Sequence, residues 1–316
     1  MKVTILDDYQ GVALSSADWS LLPDDTIVAS VRENIVGDAL IEALSDSDVV
    51  VAMRERTRFP AEVLARLPQL KLLVTTGARN AAIDLVACEK QGIVVSGTGS
   101  KPFAAAELTW ALILAAVKHL PAGQDALRAG KWQTVVPQSL EGKTLGVLGL
   151  GKLGGRVARV ARAFDMDVIA WSQNLTEERA AEHGARLVDK HTLFAQSDIV
   201  SLHLVLSDRS RGIVGASEIA AMRTDAWLIN TSRAALVDEP ALLEALHSGR
   251  IGGAALDVFM QEPLPLDAPI LSAPRTVLSP HLGYVTQETY AIYFRDAIQD
   301  ILAWRAGSPV RTLSAS

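Results

Sequence analysis

One stretch carries the first chemical signal: Gly146-Val147-Leu148-Gly149-Leu150-Gly151-Lys152-Leu153-Gly154. An apolar run meets a Gly-x-Gly-x-x-Gly turn, and an alanine- and arginine-rich helical pattern follows over residues 156–164. Strand, tight turn and helix in that order suit a dinucleotide. Gly149 permits the turn, Gly151 lets backbone approach a pyrophosphate, and Gly154 lets the helix pack on the strand. The N–H groups at Lys152 and Leu153, which open the helix, then face the phosphates. Four segments follow downstream, each at or near a predicted strand end. They are Asn230-Thr231-Ser232-Arg233-Ala234-Ala235-Leu236-Val237-Asp238-Glu239, Ala255-Leu256-Asp257-Val258-Phe259, Gln261-Glu262-Pro263 and Ser279-Pro280-His281-Leu282-Gly283. Ligands of open α/β sheets bind outside the carboxyl ends of the strands. Arg233, Asp257, Glu262 and His281 are therefore expected at one cleft.

Taken singly, each of these residues has a plainer explanation. An arginine after a strand is usually solvated or ion-paired, a glutamate before proline usually lies in a surface loop, and a histidine after proline is usually structural. Their joint occurrence in this order favours chemistry. With these segments the sequence resembles the D-isomer-specific 2-hydroxyacid dehydrogenases over nearly its whole length. The resemblance implies hydride exchange between NAD(P)H and a small 2-keto or 2-hydroxy acid, as in glyoxylate or hydroxypyruvate reductases. The family's catalytic arginine, glutamate and histidine map onto Arg233, Glu262 and His281. One departure is Ala234, where the family usually has glycine.

The chemistry explains these types. Hydride delivered to a carbonyl carbon leaves charge on the oxygen, which needs a proton donor, and histidine titrates in the useful range. A carboxylate at Glu262 orients the ring and favours its charged form. The Arg233 guanidinium offers a fork of donors for a carboxylate and a polarised carbonyl. Asp257 is expected on the nicotinamide side or in support of the site. By the resemblance, Thr231, Gly283 and His203, which ends another strand, also belong with the cofactor. His203 has an equally good structural explanation and is not assigned a catalytic role. No metal is expected.

The family holds the substrate carboxylate on a loop after a strand of the first domain. Here that loop is Thr75-Thr76-Gly77-Ala78-Arg79-Asn80, with Arg79 replacing a second glycine and Ala81-Ala82 replacing Asp-Asn. Gly77, Ala78 and Arg79 are the expected substrate residues, joined by Arg54 just past another strand end. Arg79 either meets a second acidic group or faces solvent. Trp132 and Tyr284 are weaker pocket candidates. For the cofactor, the acid that NAD-preferring folds carry some twenty residues beyond the glycine turn is missing. Ser172-Gln173-Asn174 stands there instead. No carboxylate repels a 2′-phosphate, yet no arginine holds one. NAD and NADP both remain open, with NADP slightly favoured.

These residues need a scaffold to position them. Short β-rich runs at 3–6, 26–30, 49–52, 72–75 and 93–95 alternate with helical patterns at 37–44 and 61–67. A second alternation places strands at 145–148, 167–171, 199–202, 227–230, 253–257 and 276–279. This predicts an α/β fold of two doubly wound parallel-sheet domains. The resemblance makes them a Rossmann domain (101–286) inserted in a flavodoxin-like substrate domain (1–100 and 287–316). Residues 97–102 form the predicted linker, and a final helix over 287–304 returns the chain to the first domain. An apolar helix over 104–118, ended by Leu120-Pro121-Ala122-Gly123, belongs to the core or to a subunit interface. The interface is slightly favoured, and with it a homodimer.

The chain has 316 residues, 49% of them hydrophobic, and a net charge of -6. That suits two cores and argues against nucleic acid or an anionic membrane as partner. The single cysteine, Cys88, forms no intramolecular disulfide and fits a buried helix residue in a reducing cytoplasm. The N-terminus does not read as a signal peptide. The branch of formate enzymes pairs its histidine with glutamine, so Glu262 argues against it; phosphite enzymes carry a lysine in the altered loop. The length leaves no room for the regulatory domain of long phosphoglycerate enzymes. A dinucleotide-sensing binder of the corepressor type is the alternative outside catalysis.

Overall fold

The computed structural model describes residues 1–101 and 103–315. Pro102, the last residue of the predicted linker, lies outside them. The chain divides into two compact units, Met1–Lys101 with Val285–Ser316, and Pro102–Tyr284.

The first unit opens with β1 (Lys2–Ile5), β2 (Ile27–Ser30), α1 (Gly37–Leu44), β3 (Val49–Ala52), α2 (Ala61–Leu64), β4 (Leu72–Thr75), α3 (Leu85–Lys90) and β5 (Val94–Gly97). All its strand pairs are parallel, in the order β2-β1-β3-β4-β5. Every residue of β3 and β4 is buried. Helices cover both faces, so these strands read as unbroken apolar runs rather than alternating ones. Val50 and Leu73 pack with Leu40, Leu44, Leu64 and Cys88 in the core.

The second unit begins with α4 (Ala104–Val117), α5 (Leu120–Arg128), β6 (Thr144–Leu148), α6 (Lys152–Ala163), β7 (Asp167–Trp171), α7 (Glu177–Glu182) and β8 (Arg186–Leu187). It continues with α8 (Lys190–Gln196), β9 (Ile199–Leu202), α9 (Ala216–Ala221), β10 (Trp227–Asn230), α10 (Glu239–Ser248), β11 (Gly253–Leu256) and β12 (Thr276–Leu278). The sheet runs β12-β11-β10-β9-β6-β7-β8, again with parallel pairs. The order reverses at β6, with β7 on one side and β9 on the other. A crevice opens at such a switch point, outside the carboxyl ends of the two strands. The chain then returns to the first unit as α11 (Gln287–Arg305). Its tail covers the β5 edge, where Gly97 donates to the Arg311 carbonyl at 3.0 Å and Leu313 donates to that of Val95 at 2.8 Å.

Two parallel sheets in one α/β chain are what the sequence led us to expect. Two local details differ from expectation. Leu120 and Pro121 do not end helical structure. His119 takes a left-handed turn (φ 51°), and α5 starts at Leu120 with Pro121 in its first turn. Proline suits that position because its missing N–H would be unpaired there anyway. The two-residue strand β8 was not expected. The apolar helix α4 packs into the core of its own unit. Trp110, Leu112, Ile113, Ala116 and Val117 are buried, and the Trp110 Nε1–H donates to the Val157 carbonyl at 3.2 Å. Among the described residues no helix is long and apolar enough to cross a membrane.

Candidate active site

The glycine turn links β6 to α6 as its spacing predicts. Gly149 adopts φ +104°, and a Cβ there would stand 2.8 Å from the His203 carbonyl carbon. A Cβ on Gly154 would stand 2.1 Å from the Gly149 carbonyl oxygen. Both glycines are required for packing within the chain. Gly151 differs: a Cβ on it would meet nothing within 4 Å. It also caps α6, and no side chain caps that helix. The N–H groups of the first turn have no partner inside a helix and carry its positive end. Ser172, Gln173 and Asn174 follow β7, whose last carbonyl, on Trp171, accepts the Gly149 N–H at 2.9 Å.

Three adjacent strands deliver the remaining groups. Arg233 follows β10, Asp257 and Glu262 follow β11, and His281 follows β12. These strands are parallel neighbours, so their carboxyl ends lie side by side. Glu262 Oε2 is 2.5 Å from His281 Nδ1, and its Oε1 accepts the Phe259 N–H at 2.9 Å. The glutamate is thus fixed at one oxygen and holds the imidazole with the other. This leaves Nε2 as the ring nitrogen that can face a ligand. The ring also meets Tyr284 edge-on, with centroids 5.4 Å apart.

The Arg233 loop is built by its neighbours. Asn230 Nδ2 donates to the Arg233 carbonyl at 3.0 Å, and Asn230 Oδ1 accepts the Ser232 N–H at 3.0 Å. Arg233 Nη1 donates to the Ser232 carbonyl at 2.8 Å. The Thr231 hydroxyl sits 2.7 Å from that of Thr109 on α4. Asp257 is fully buried, and its carboxylate accepts the N–H groups of Leu282 at 2.7 Å and Gly283 at 2.9 Å. Burial pushes its carboxyl above the usual aspartate range, against the pull of these donors and of His281. His203 Nε2 lies 2.9 Å from the Ser201 hydroxyl. Desolvation lowers its pKa to about 4, so the ring is neutral at physiological pH.

Residues 110–283 match the profile of the D-isomer specific 2-hydroxyacid dehydrogenase, NAD binding domain. The chain belongs to the D-isomer specific 2-hydroxyacid dehydrogenase family. It is 35% identical over 295 residues to a glyoxylate reductase of Aeropyrum pernix, covering 90% of this chain and 84% of that one. It is 37% identical over 262 residues to a D-3-phosphoglycerate dehydrogenase of Methanocaldococcus jannaschii, covering 82% of this chain and 50% of the relative. The chain thus spans about half the length of that relative. A crystal structure of phosphoglycerate oxidoreductase from Vibrio cholerae superposes with a TM-score of 0.92 at 38% identity, covering 98% and 100% of the two chains. The family's nicotinamide dinucleotide fits the residues present. Space is open at Gly151, and the first turn of α6 presents N–H groups to it.

In the first unit the altered loop after β4 is tied down from within. Gly77 (φ +90°) seats the Arg54 side chain, and a Cβ there would stand 1.8 Å from Arg54 Nη1. The Gly77 N–H is already taken by Thr98 Oγ1 at 2.7 Å. Of the N–H groups expected to hold a carboxylate, Ala78 and Arg79 are thus the ones without a hydrogen bond among the described residues. Both side chains are exposed. The residue that organises the loop was not predicted. Asn80 Nδ2 donates to the Arg54 carbonyl at 2.6 Å and to Thr75 Oγ1 at 2.9 Å, and its Oδ1 accepts the Ala82 N–H at 2.8 Å. An asparagine just past a strand that bonds backbone two residues on is the available signal. Trp132 is 76% exposed.

Proposed function

We propose that this protein transfers hydride between a nicotinamide dinucleotide and a small 2-keto or 2-hydroxy acid. The His281–Glu262 pair, at the end of a strand in the dinucleotide-binding unit, is the observation that carries this reading. When bound, the nicotinamide supplies or accepts the hydride. The chain's own residues do the rest. Protonated His281 gives its Nε2 proton to the substrate carbonyl oxygen, and in the reverse direction the neutral ring takes the hydroxyl proton. Glu262 fixes the ring through Nδ1 and stabilises the positive charge on it. Arg233 holds the substrate carboxylate and polarises the carbonyl with its planar fork of donors. His203, neutral and hydrogen-bonded to Ser201, is not the proton donor. The Gly77–Arg79 loop and Arg54 serve the substrate side, in a domain made by residues 1–100 and 287–316. The Rossmann domain is made by 101–286.

Gly149, Gly151, Lys152, Leu153 and Gly154 receive the pyrophosphate, and Ser172-Gln173-Asn174 receives the adenosine ribose. With serine in place of an acid, NADPH is slightly preferred over NADH. The protein works as a homodimer in the cytoplasm. Leu120, Leu127, Trp132 and Val136 support the dimer, since all four are well exposed and apolar along one segment. Buried, reduced Cys88 supports the compartment.

The test is oxidation of NADH and NADPH, side by side, with glyoxylate, hydroxypyruvate, pyruvate and longer 2-keto acids. Turnover of at least one of these acids is expected. Binding of the dinucleotide with no turnover of any 2-keto acid overturns the reading.

A further inference from the structure

His281 stands in an unfavourable backbone conformation. Its φ is +55°, in the left-handed region that a side chain with a Cβ rarely occupies. Its own N–H reaches back only two residues, to the Ser279 carbonyl at 2.9 Å. Such a conformation persists only where its surroundings over-determine it. The two residues that follow supply that constraint. The N–H groups of Leu282 and Gly283 both point at the carboxylate of Asp257, one to each oxygen.

Asp257 is itself rigidly placed. Its N–H donates to the Asn230 carbonyl at 3.0 Å, which continues the pairing of β10 and β11 past their ends. It is 0% exposed, so its oxygens face only the protein. The turn approaches the carboxylate closely: a Cβ on Gly283 would stand 3.1 Å from Asp257 Oδ2. The loop after β11 therefore grips His281 twice, by its ring through Glu262 and by its backbone through Asp257.

We propose that Asp257 is a positioning residue, whose buried carboxylate fixes the turn that aims His281 Nε2. The inference rests on the reading of His281 as proton donor. It assigns Asp257 a duty distinct from contact with the nicotinamide. Two charge-assisted hydrogen bonds to one carboxylate are stronger than neutral ones. Losing them releases the turn without touching the ring's own partner.

The test compares Asp257→Asn and Asp257→Ala with the unaltered enzyme in three measurements. Amide hydrogen exchange in the unliganded protein should quicken at Leu282 and Gly283, by about tenfold or more for Ala and less for Asn, while β10 and β11 amides keep their protection. At saturating cofactor, kcat should fall about tenfold or more, again less for Asn, which keeps one acceptor oxygen. The dissociation constant of the cofactor, read by fluorescence, should stay within about threefold. Exchange that stays slow at Leu282 and Gly283 overturns the proposal. So does a weakened cofactor with kcat unchanged at saturation, the pattern of a nicotinamide contact. Faster exchange with kcat unchanged also overturns it, because the turn would then not matter to the reaction. Should Asp257→Ala fail to fold, the near-isosteric Asn variant carries all three measurements. Exchange is independent of turnover, so a failure of the dehydrogenase reading would be seen separately, as absence of activity in the unaltered enzyme.

Discussion

The two parallel sheets use glycine and polar groups at their carboxyl ends in opposite ways. In the first unit the chain itself engages most of these groups, the N–H groups of Ala78 and Arg79 excepted. Gly77 makes room for Arg54, its N–H is held by Thr98, and Asn80 ties three partners together. After β1, Asp8 accepts the N–H groups of Val12 and Ala13, and Asp7 accepts from Asn34 and Thr57. In the second unit Gly149 and Gly154 serve packing in the same way, but Gly151 and the start of α6 are left open. The lesson is that a glycine-rich turn becomes a candidate binding site through the donors that the chain does not satisfy. Polar groups already paired internally make structure.

The sharpest way to break this comparison is at its chemical end. His281→Ala should lower kcat by about a thousandfold, within the range for loss of a general acid, while the cofactor dissociation constant stays unchanged. Single-turnover kinetics with a fluorescence titration checks both, and normal turnover would remove His281 from the mechanism. Next comes the contrast among the glycines. Gly154→Ala, with a Cβ 2.1 Å from a backbone oxygen, should destabilise the protein by about 3 kcal/mol in denaturant titration. Gly151→Ala should change stability by less than about 1 kcal/mol yet weaken dinucleotide binding about tenfold or more. If Gly151→Ala instead destabilises the protein by several kcal/mol while its folded form binds cofactor normally, Gly151 is a packing glycine like its neighbours.

A smaller effect is expected at Ser172. Ser172→Asp should move the kcat/KM ratio toward NADH by about tenfold, by setting a carboxylate against the 2′-phosphate. An unmoved ratio would place cofactor choice elsewhere. The pH dependence of stability separates the two units. His203 titrates at about 4 when folded, below its ordinary 6.5. Its contribution is therefore present above pH 6.5 and lost as pH falls toward 4. Asp300 in α11 is raised from 3.8 to about 7, chiefly by burial and against the attraction of Arg311. Its contribution is full below pH 3.8 and is lost as pH rises through 7. Denaturation midpoints against pH should lose the acid-side slope in His203→Gln and the slope between 3.8 and 7 in Asp300→Asn. Slopes that survive these substitutions would assign the titrations to other groups.

Much of the scaffold was legible because parallel strands buried on both faces leave strong apolar runs. The runs at 49–52, 72–75, 167–171, 199–202 and 227–230 coincide with β3, β4, β7, β9 and β10. Elements without such a run escaped. β8 is two residues long, too short for any period. In α5, Pro121 and Gly123 read as a terminator, although proline in a first turn is compatible with a helix start. The long helix α4 was legible as a covered element from its apolar run. A helix apolar on all sides must be covered, and here α6 and the sheet of its own unit cover most of it.

The sequence by itself determined the glycine turn, the order of Arg233, Glu262 and His281, and their places at strand ends, because each follows from short-range pattern and spacing. Only the tertiary structure decided which groups are already engaged. Gly77 holds Arg54, Thr98 takes a loop N–H, and Asp257 grips Leu282 and Gly283. These pairings join residues 21 to 26 positions apart in the chain, as with Thr98 and Gly77, or Asp257 and Gly283. No local propensity records such partners, since what brings them together is the packing of neighbouring strands in a sheet.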